Sequence, residues 1–192
     1  MALSEEMRAS FDANIAIGEY GTQLFWWNAT SQKFEYALPL VSGGEYGGDT
    51  ETFEAPEMDL DYVPKISGRT TLDDITLTSN YTKDRYKRWT EIISNTVNNN
   101  YIEVFSDGSA TLYSGTAGRP TIQGGDVRQI ETTIAPTNMI WVYDINDVSE
   151  EEYAEIKDML GLEGEYSATY KIPFDTTTLP NKREQFFKGA TE

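Results

Sequence analysis

Apolar and polar positions cluster and alternate differently along this chain, and each pattern predicts an element. Residues 14–28 (NIAIGEYGTQLFWWN) read as one or two strands. Leu24, Phe25, Trp26 and Trp27 form too dense a run for a strand with one wet face. Both faces are therefore expected to be covered, by core and by a neighbouring element or subunit. Residues 33–41 (KFEYALPLV) predict another strand, which Pro39 confines to an edge or a terminus. Residues 42–57 (SGGEYGGDTETFEAPE) have a loop composition, with hinge-like glycine pairs, and are expected to be mobile in a free monomer. In residues 57–69, Glu57, Asp59 and Asp61 alternate with Met58, Leu60 and Tyr62, the period of a strand that puts its acids on one face.

Residues 71–89 (TLDDITLTSNYTKDRYKRW) change rhythm halfway. Residues 74–78 predict a strand with Ile75 and Leu77 inward. Thr82 then takes an N-cap position. Tyr86, Trp89, Ile93, Thr96 and Val97 recur at helical spacing, and Ile92 broadens the stripe of an amphipathic helix. Asp84 suits the first turn and the asparagines at 98–100 suit a stop. Lys83, Arg85, Lys87 and Arg88 crowd the first half, where the helix dipole does not favour them. Two readings stand for these cations: a solvated face, or pairing with carboxylates of a neighbouring chain.

The remainder is rich in strand patterns. Residues 101–115 predict a hairpin with a two-residue primed turn at Asp107-Gly108. Residues 116–126 predict a loop, and residues 127–145 predict strands on either side of Ala135-Pro136. Ser149 and Glu152 match a capping box, Tyr153, Ile156, Met159 and Leu160 make an apolar helix face, and Gly161 is the stop. A last strand is expected over 165–174. The polar tail after it carries Arg183 and the adjacent Phe186 and Phe187, which are too costly to leave wet and are expected against the body or a partner.

Composition sharpens this picture. Twelve Tyr, eight Phe and four Trp favour a mainly β, α+β chain, and 192 residues suit one domain. No run approaches the roughly 18 apolar residues of a membrane span. Glutamates stand near the N-terminus where a signal peptide would carry basic residues, so a protein made and kept in a cytoplasm is expected. There is neither Cys nor His, which removes Ser-His-Asp and Cys-His catalysis, disulfides and most zinc sites. Phosphate loops, dinucleotide fingerprints and nucleophile elbows do not occur. Neighbouring acids such as Asp73 and Asp74 point to opposite faces of a strand. The expectation is a chain that is not an enzyme, with no catalytic, cofactor-binding or metal residues.

Charge adds a second constraint. Fifteen basic residues against thirty-two acidic ones give a formal charge of −17, which opposes any grip on nucleic acid. The strip Glu57, Asp59, Asp61 has three readings: a solvated strand face, the lining of something, or the divalent-cation site of a metal-dependent hydrolase. Calcium, however, wants about six oxygens from a compact loop.

Residues 54–89 (EAPEMDLDYVPKISGRTTLDDITLTSNYTKDRYKRW) resemble the major tail tube proteins of tailed bacteriophages, especially those of long-tailed phages of Gram-positive hosts. The likeness lies in a glycine-rich acidic loop before a strand ending DITLT (74–78), in Thr82 and Asp84, and in Trp89 as the helix's aromatic anchor. Residues 108–137, ending near Ala135-Pro136, extend it, so that it spans about residues 50–137. The N-terminal quarter and the second helix fall outside it.

The resemblance implies two packed antiparallel sheets, β-sandwich or barrel-like, with flanking helices, a long inter-strand loop (about 42–57) and terminal arms (about 1–13 and 175–192). It implies a structural virion protein that self-assembles into hexameric rings, stacked into a tube that delivers a genome into the host. The implied partners are further copies of the chain, a tape measure protein, a tail terminator and baseplate or distal tail proteins. Double-stranded DNA would pass without specific binding. The protein would be made in the host bacterial cytoplasm and reside in the virion tail, with no membrane insertion of its own. Glu57, Asp59 and Asp61 become lumen-lining candidates, because carboxylates leave a polyanion unbound. Glu45, Tyr46, Asp49, Phe53, Arg85, Arg88, Phe186 and Phe187 become assembly-interface candidates. From a binding class, the alternative is a β-sandwich decoration or adhesin module that recognises carbohydrate or a host-surface ligand through Trp26, Trp27 and Trp141.

Overall fold

A computed structural model describes residues 22–54, 65–94, 98–162, 172–175 and 177. Strand β1 (Gln23–Asn28) pairs antiparallel with β2 (Lys33–Pro39) on one side and β6 (Asn99–Val104) on the other. From β6 the sheet continues through β7 (Ala110–Ala117) and β9 (Gln129–Val142) to β5 (Ile75–Asn80), with β8 (Thr121–Gln123) also on β9, making seven strands. Residues 40–42 run on past β2 and meet β5. Val41 N–H donates to Thr78 O at 2.8 Å, and Thr78 N–H donates to Ser42 O at 3.1 Å. The two margins of the sheet are thereby drawn together, and it curls into a half-barrel. A separate two-stranded sheet holds β3 (Gly48–Glu54) and β4 (Lys65–Leu72). The architecture is mainly β and barrel-like, with flanking helices.

The dense run in β1 has the two covered faces that its composition demands. Leu24 and Phe25 are both fully buried, in different apolar clusters. On the concave side Leu24, Leu38, Ile75, Leu77, Tyr101, Tyr113, Ile130 and Ile134 close around Trp89 and Ile92 of helix α1 (Lys83–Ser94). On the other side Phe25, Trp27, Phe34, Ile102, Leu112, Ile140 and Val142 pack with Ile156 of helix α2 (Glu150–Leu160) and with Ile172. Pro39 ends β2, which is the margin strand, as the missing donor requires.

Both helices start where their caps sit. Thr82 Oγ1 accepts from Arg85 N–H at 3.2 Å. Ser149 and Glu152 form the reciprocal capping box of α2, and Gly161 closes it at φ 64°. Of the α1 stripe, Trp89 and Ile92 are buried, while Thr96 and Val97 lie outside the described residues.

Three elements differ from the sequence pattern. Residues 127–145 hold one continuous strand instead of two, because a bulge absorbs the Ala135-Pro136 step. Ser114 faces Asn138 and Gly115 faces Pro136, so Thr137 is the extra residue. A Cβ at Gly115 would sit 2.6 Å from Ala135 O, so only glycine fits opposite the bulge. The turn at Asp107-Gly108 is a three-residue loop, not a two-residue primed one. Gly108 N–H donates to Phe105 O at 3.1 Å, and Gly108 alone in the turn has positive φ, 93°. The cause is Asp107, whose Oδ1 accepts from Ser109 N–H and Oγ–H at 3.0 and 2.7 Å. Finally, the loop-like stretch 42–57 contains β3, whose partner β4 supplies hydrogen bonds where the sequence supplies few apolar groups. The alternating residues 57–62 and most of the strand expected at 165–174 lie outside the described residues.

Candidate assembly surfaces

The β3–β4 hairpin springs from a strap, residues 43–47, that lies close against the half-barrel. A Cβ at Gly43 would fall 2.2 Å from Glu103 Oε1, and one at Gly44 would fall 2.2 Å from Ile75 Cγ2. At Gly44 an added Cβ would displace the packed Ile75 side chain, whereas at Gly43 it would meet only the far end of the Glu103 side chain. Asp73 N–H donates to Gly47 O at 3.2 Å and closes the root of the hairpin. Between these points Tyr46 drops its ring onto Phe105 and Tyr113, at centroid distances of 6.1 and 6.3 Å. Glu45 and Asp49 are exposed. Phe53 stands in β3 opposite Ile66, and its side chain lies outside the described residues. Glu57, Asp59, Asp61, Phe186 and Phe187 also lie outside them.

Tyr46 belongs to a column of rings that crosses the concave core. Trp89, Tyr101, Tyr113, Tyr46, Phe105 and Trp141 follow one another at centroid spacings between 5.7 and 6.3 Å. The column ties α1 to the strap through stiff side chains. Its chemistry is that of buried phenols. Burial pushes the Tyr101 hydroxyl up to about 12, partly offset by the nearby polar side chain of Asn99. Tyr113 is raised well above the usual tyrosine range, first by burial, then by the nearby Glu103 carboxylate and the Tyr46 and Tyr101 hydroxyls. Glu103 itself is fully buried on this face.

Arg85 and Arg88 are half-buried on the rim of the α1 stripe. Arg85 Nη1 donates to Asn80 O at 3.1 Å, and Arg88 Nη2 donates to Tyr36 O. Each thus engages a backbone carbonyl of its own chain. Arg88 covers an acceptor of the marginal strand β2, which blunts that edge against stray pairing. Sequence reasoning missed these bonds. The signal was spacing: Arg85 lies one turn before Trp89 and Arg88 one turn before Ile92, the two buried residues of the helix, so their stems start beside buried surface. Lys87 lies 3.8 Å from Glu91 in an exposed pair that contributes little.

The tryptophans of the carbohydrate reading do not form a platform. Trp27 is buried, Trp26 is half-buried against the opposite cluster, and Trp141 stands on β9 with 44 % exposure. Among the described residues no three His, Cys, Asp or Glu side chains converge as metal ligands. No described helix is long and apolar enough to cross a membrane.

No protein-family model and no curated protein matches the chain in sequence. Solved structures match it in shape. A chain from the tail of an empty gene transfer agent particle, refined with helical C6 symmetry, aligns at TM-score 0.51 and 12% identity, over 66% of this chain and 99% of that one. A chain from the extended sheath–tube complex of PVC, an extracellular contractile injection system, aligns at TM-score 0.50 and 14% identity, over 73% of this chain and 98% of that one. At these identities the likeness is one of fold. The chain has the fold of a chain in tail and sheath–tube assemblies.

Proposed function

We propose that this chain is a structural tail tube subunit that self-assembles into hexameric rings, stacked into a conduit for a genome. The observation that carries the reading is a self-sufficient half-barrel from which a hairpin stands apart as its own sheet, in a fold shared with a chain of a C6-symmetric tail. An isolated two-stranded ribbon is marginally stable in water. Its outer backbone groups invite a further strand or surface. The hairpin, with Glu45, Tyr46, Asp49 and Phe53 at and beyond its root, is thus suited to engage the next ring. On this reading the chain is one domain, 1–192, with terminal arms that add contacts through Phe186 and Phe187. Arg85 and Arg88 meet acidic groups of a neighbour with guanidinium N–H groups not engaged by the carbonyls of Asn80 and Tyr36.

The charge of −17 supports a lumen that is net negative, lined by Glu57, Asp59 and Asp61. Double-stranded DNA, one charge per roughly 1.7 Å, then passes without being held. A tape measure protein would fill the tube before DNA, with a terminator and baseplate or distal tail proteins at its ends. The protein would be made in the host bacterial cytoplasm, reside in the virion tail and catalyse nothing.

Negative-stain microscopy of the purified protein tests this. Tubes or six-fold rings are expected as concentration and salt are raised. Dispersed single particles under every such condition overturn the reading.

A further inference from the structure

The strap that carries the hairpin has one side chain with which to hold on. Of residues 43–47 (GGEYG), three are glycines and Glu45 is exposed, so Tyr46 alone reaches the body with a side chain. Its ring meets Phe105 edge-on, at an interplanar angle of 86°, and lies tilted by 41° against Tyr113. Its hydroxyl is buried. The strap backbone closes over the ring, since a Cβ at Gly44 would fall 3.6 Å from Tyr46 Cε1.

The other attachments of the hairpin do not set its direction. Upstream, Ser42 is pinned to Thr78 of β5, so any swing is decided between residues 43 and 48. The second leg runs from Leu72 through Asp73 and Asp74, both exposed, directly into β5. The bond from Asp73 N–H to Gly47 O joins one leg to the other, as does the close approach of Gly48 to Thr71 O. Neither fastens the pair to the half-barrel. Among the described hairpin side chains only Leu72, at the root, is half-buried, while Gly48 to Thr52 and Thr71 are exposed. Glycine pairs at 43–44 and 47–48 flank Tyr46, and glycine backbone turns with little resistance.

We propose that Tyr46 is a positioning residue: seated on Phe105 and Tyr113, it holds the β3–β4 hairpin in one direction in the dispersed subunit. A ribbon aimed beforehand has little freedom left to lose when it meets a neighbour, whereas a swinging one must surrender it on contact. Tyr46 therefore promotes assembly from inside its own chain. The inference rests on the tube reading only for what the hairpin meets, because the anchor is a property of the single subunit.

Hydrogen exchange of the full chain, below its assembly concentration, tests this on the parent, Tyr46→Ala and Tyr46→Phe. In Tyr46→Ala the amides of β3, β4 and Asp73 should exchange at least tenfold faster relative to those of β1 and β6, which report any change in global stability. Tyr46→Phe keeps the ring and should restore the parent ratio. In negative stain Tyr46→Ala should need at least tenfold more protein to give tubes, and Tyr46→Phe no more than the parent. An unchanged ratio in Tyr46→Ala overturns the proposal, because the ring then supports the core without steering the hairpin. Tubes from Tyr46→Ala at the parent's concentration overturn it as well. A parent that gives the expected exchange pattern yet never forms tubes overturns the tube reading and upholds the anchor.

Discussion

The half-barrel and the β3–β4 hairpin are both antiparallel β structure, yet they are specified by different forces. In the half-barrel, neighbouring positions such as Leu24 and Phe25 are both fully buried, one in each apolar cluster. Register there follows from burial, because a slip of one residue would exchange the two cores. In the hairpin, every side chain from Gly48 to Thr52 is exposed, and the strands are held by their ladder and by the glycine-seated root. One region is stable through what it hides, the other through what it touches. The first can stand alone, and the second is suited to be completed by a partner.

Substitutions that strike the core should separate the regions most. Trp89 is 1 % exposed and its indole N–H donates to Thr132 Oγ1 at 2.6 Å. Trp89→Ala removes that volume and strands the hydroxyl, so urea denaturation should show a loss of about 3–5 kcal/mol. A loss below about 1 kcal/mol would mean the concave cluster is not what holds the sheet. Ser149→Ala is milder, about 1 kcal/mol for a lost N-cap, and it carries a pH signature. Burial tends to raise the Glu152 carboxyl, but hydrogen bonds from Ser149 N–H, Ser149 Oγ–H and Tyr143 N–H outweigh this and hold it below its ordinary 4.5. A depressed carboxyl stabilises the fold above its unfolded pKa and loses that contribution as pH falls through its folded one. Melting temperatures measured from pH 6 to pH 3 should therefore fall less steeply in Ser149→Ala than in the parent chain. Smallest of all is replacement of residues 49–71 by a short glycine linker. Stability should change by about 0.5 kcal/mol or less, as for surface changes away from the core, while tubes no longer form in negative stain. Tubes assembled by that variant would make the hairpin dispensable.

The sequence announced whatever burial and capping dictate. The Thr82 cap with the Trp89 stripe, the box of Ser149 and Glu152, the stop at Gly161, the edge strand ended by Pro39 and the doubly covered β1 were all legible, because each leaves a local pattern. Strand β3 was not, since GDTETFE owes its conformation to hydrogen bonds with a partner that begins at Lys65. The seating of Gly43 against Glu103 joins residues sixty apart, and nothing local signals it. Arg88 was visible as a charge, but its acceptor, a carbonyl of Tyr36, has no side-chain signature. Continuity of β9 through Pro136 depends on Gly115 in another strand. Of the candidate site, Tyr46 was named for an assembly interface, and the structure packs its ring on Phe105 and Tyr113 of its own chain; Trp141 was read only as part of a sugar platform.

Thr137 has a consequence beyond geometry. Ahead of it, Ile130 and Ile134 serve the concave cluster, and past it Ile140 and Val142 serve the other. Because one strand is common to both, melting either half strips the other of its wall, and unfolding becomes all-or-none. The folded chain then offers no half-open intermediate with bared strands to clump at random.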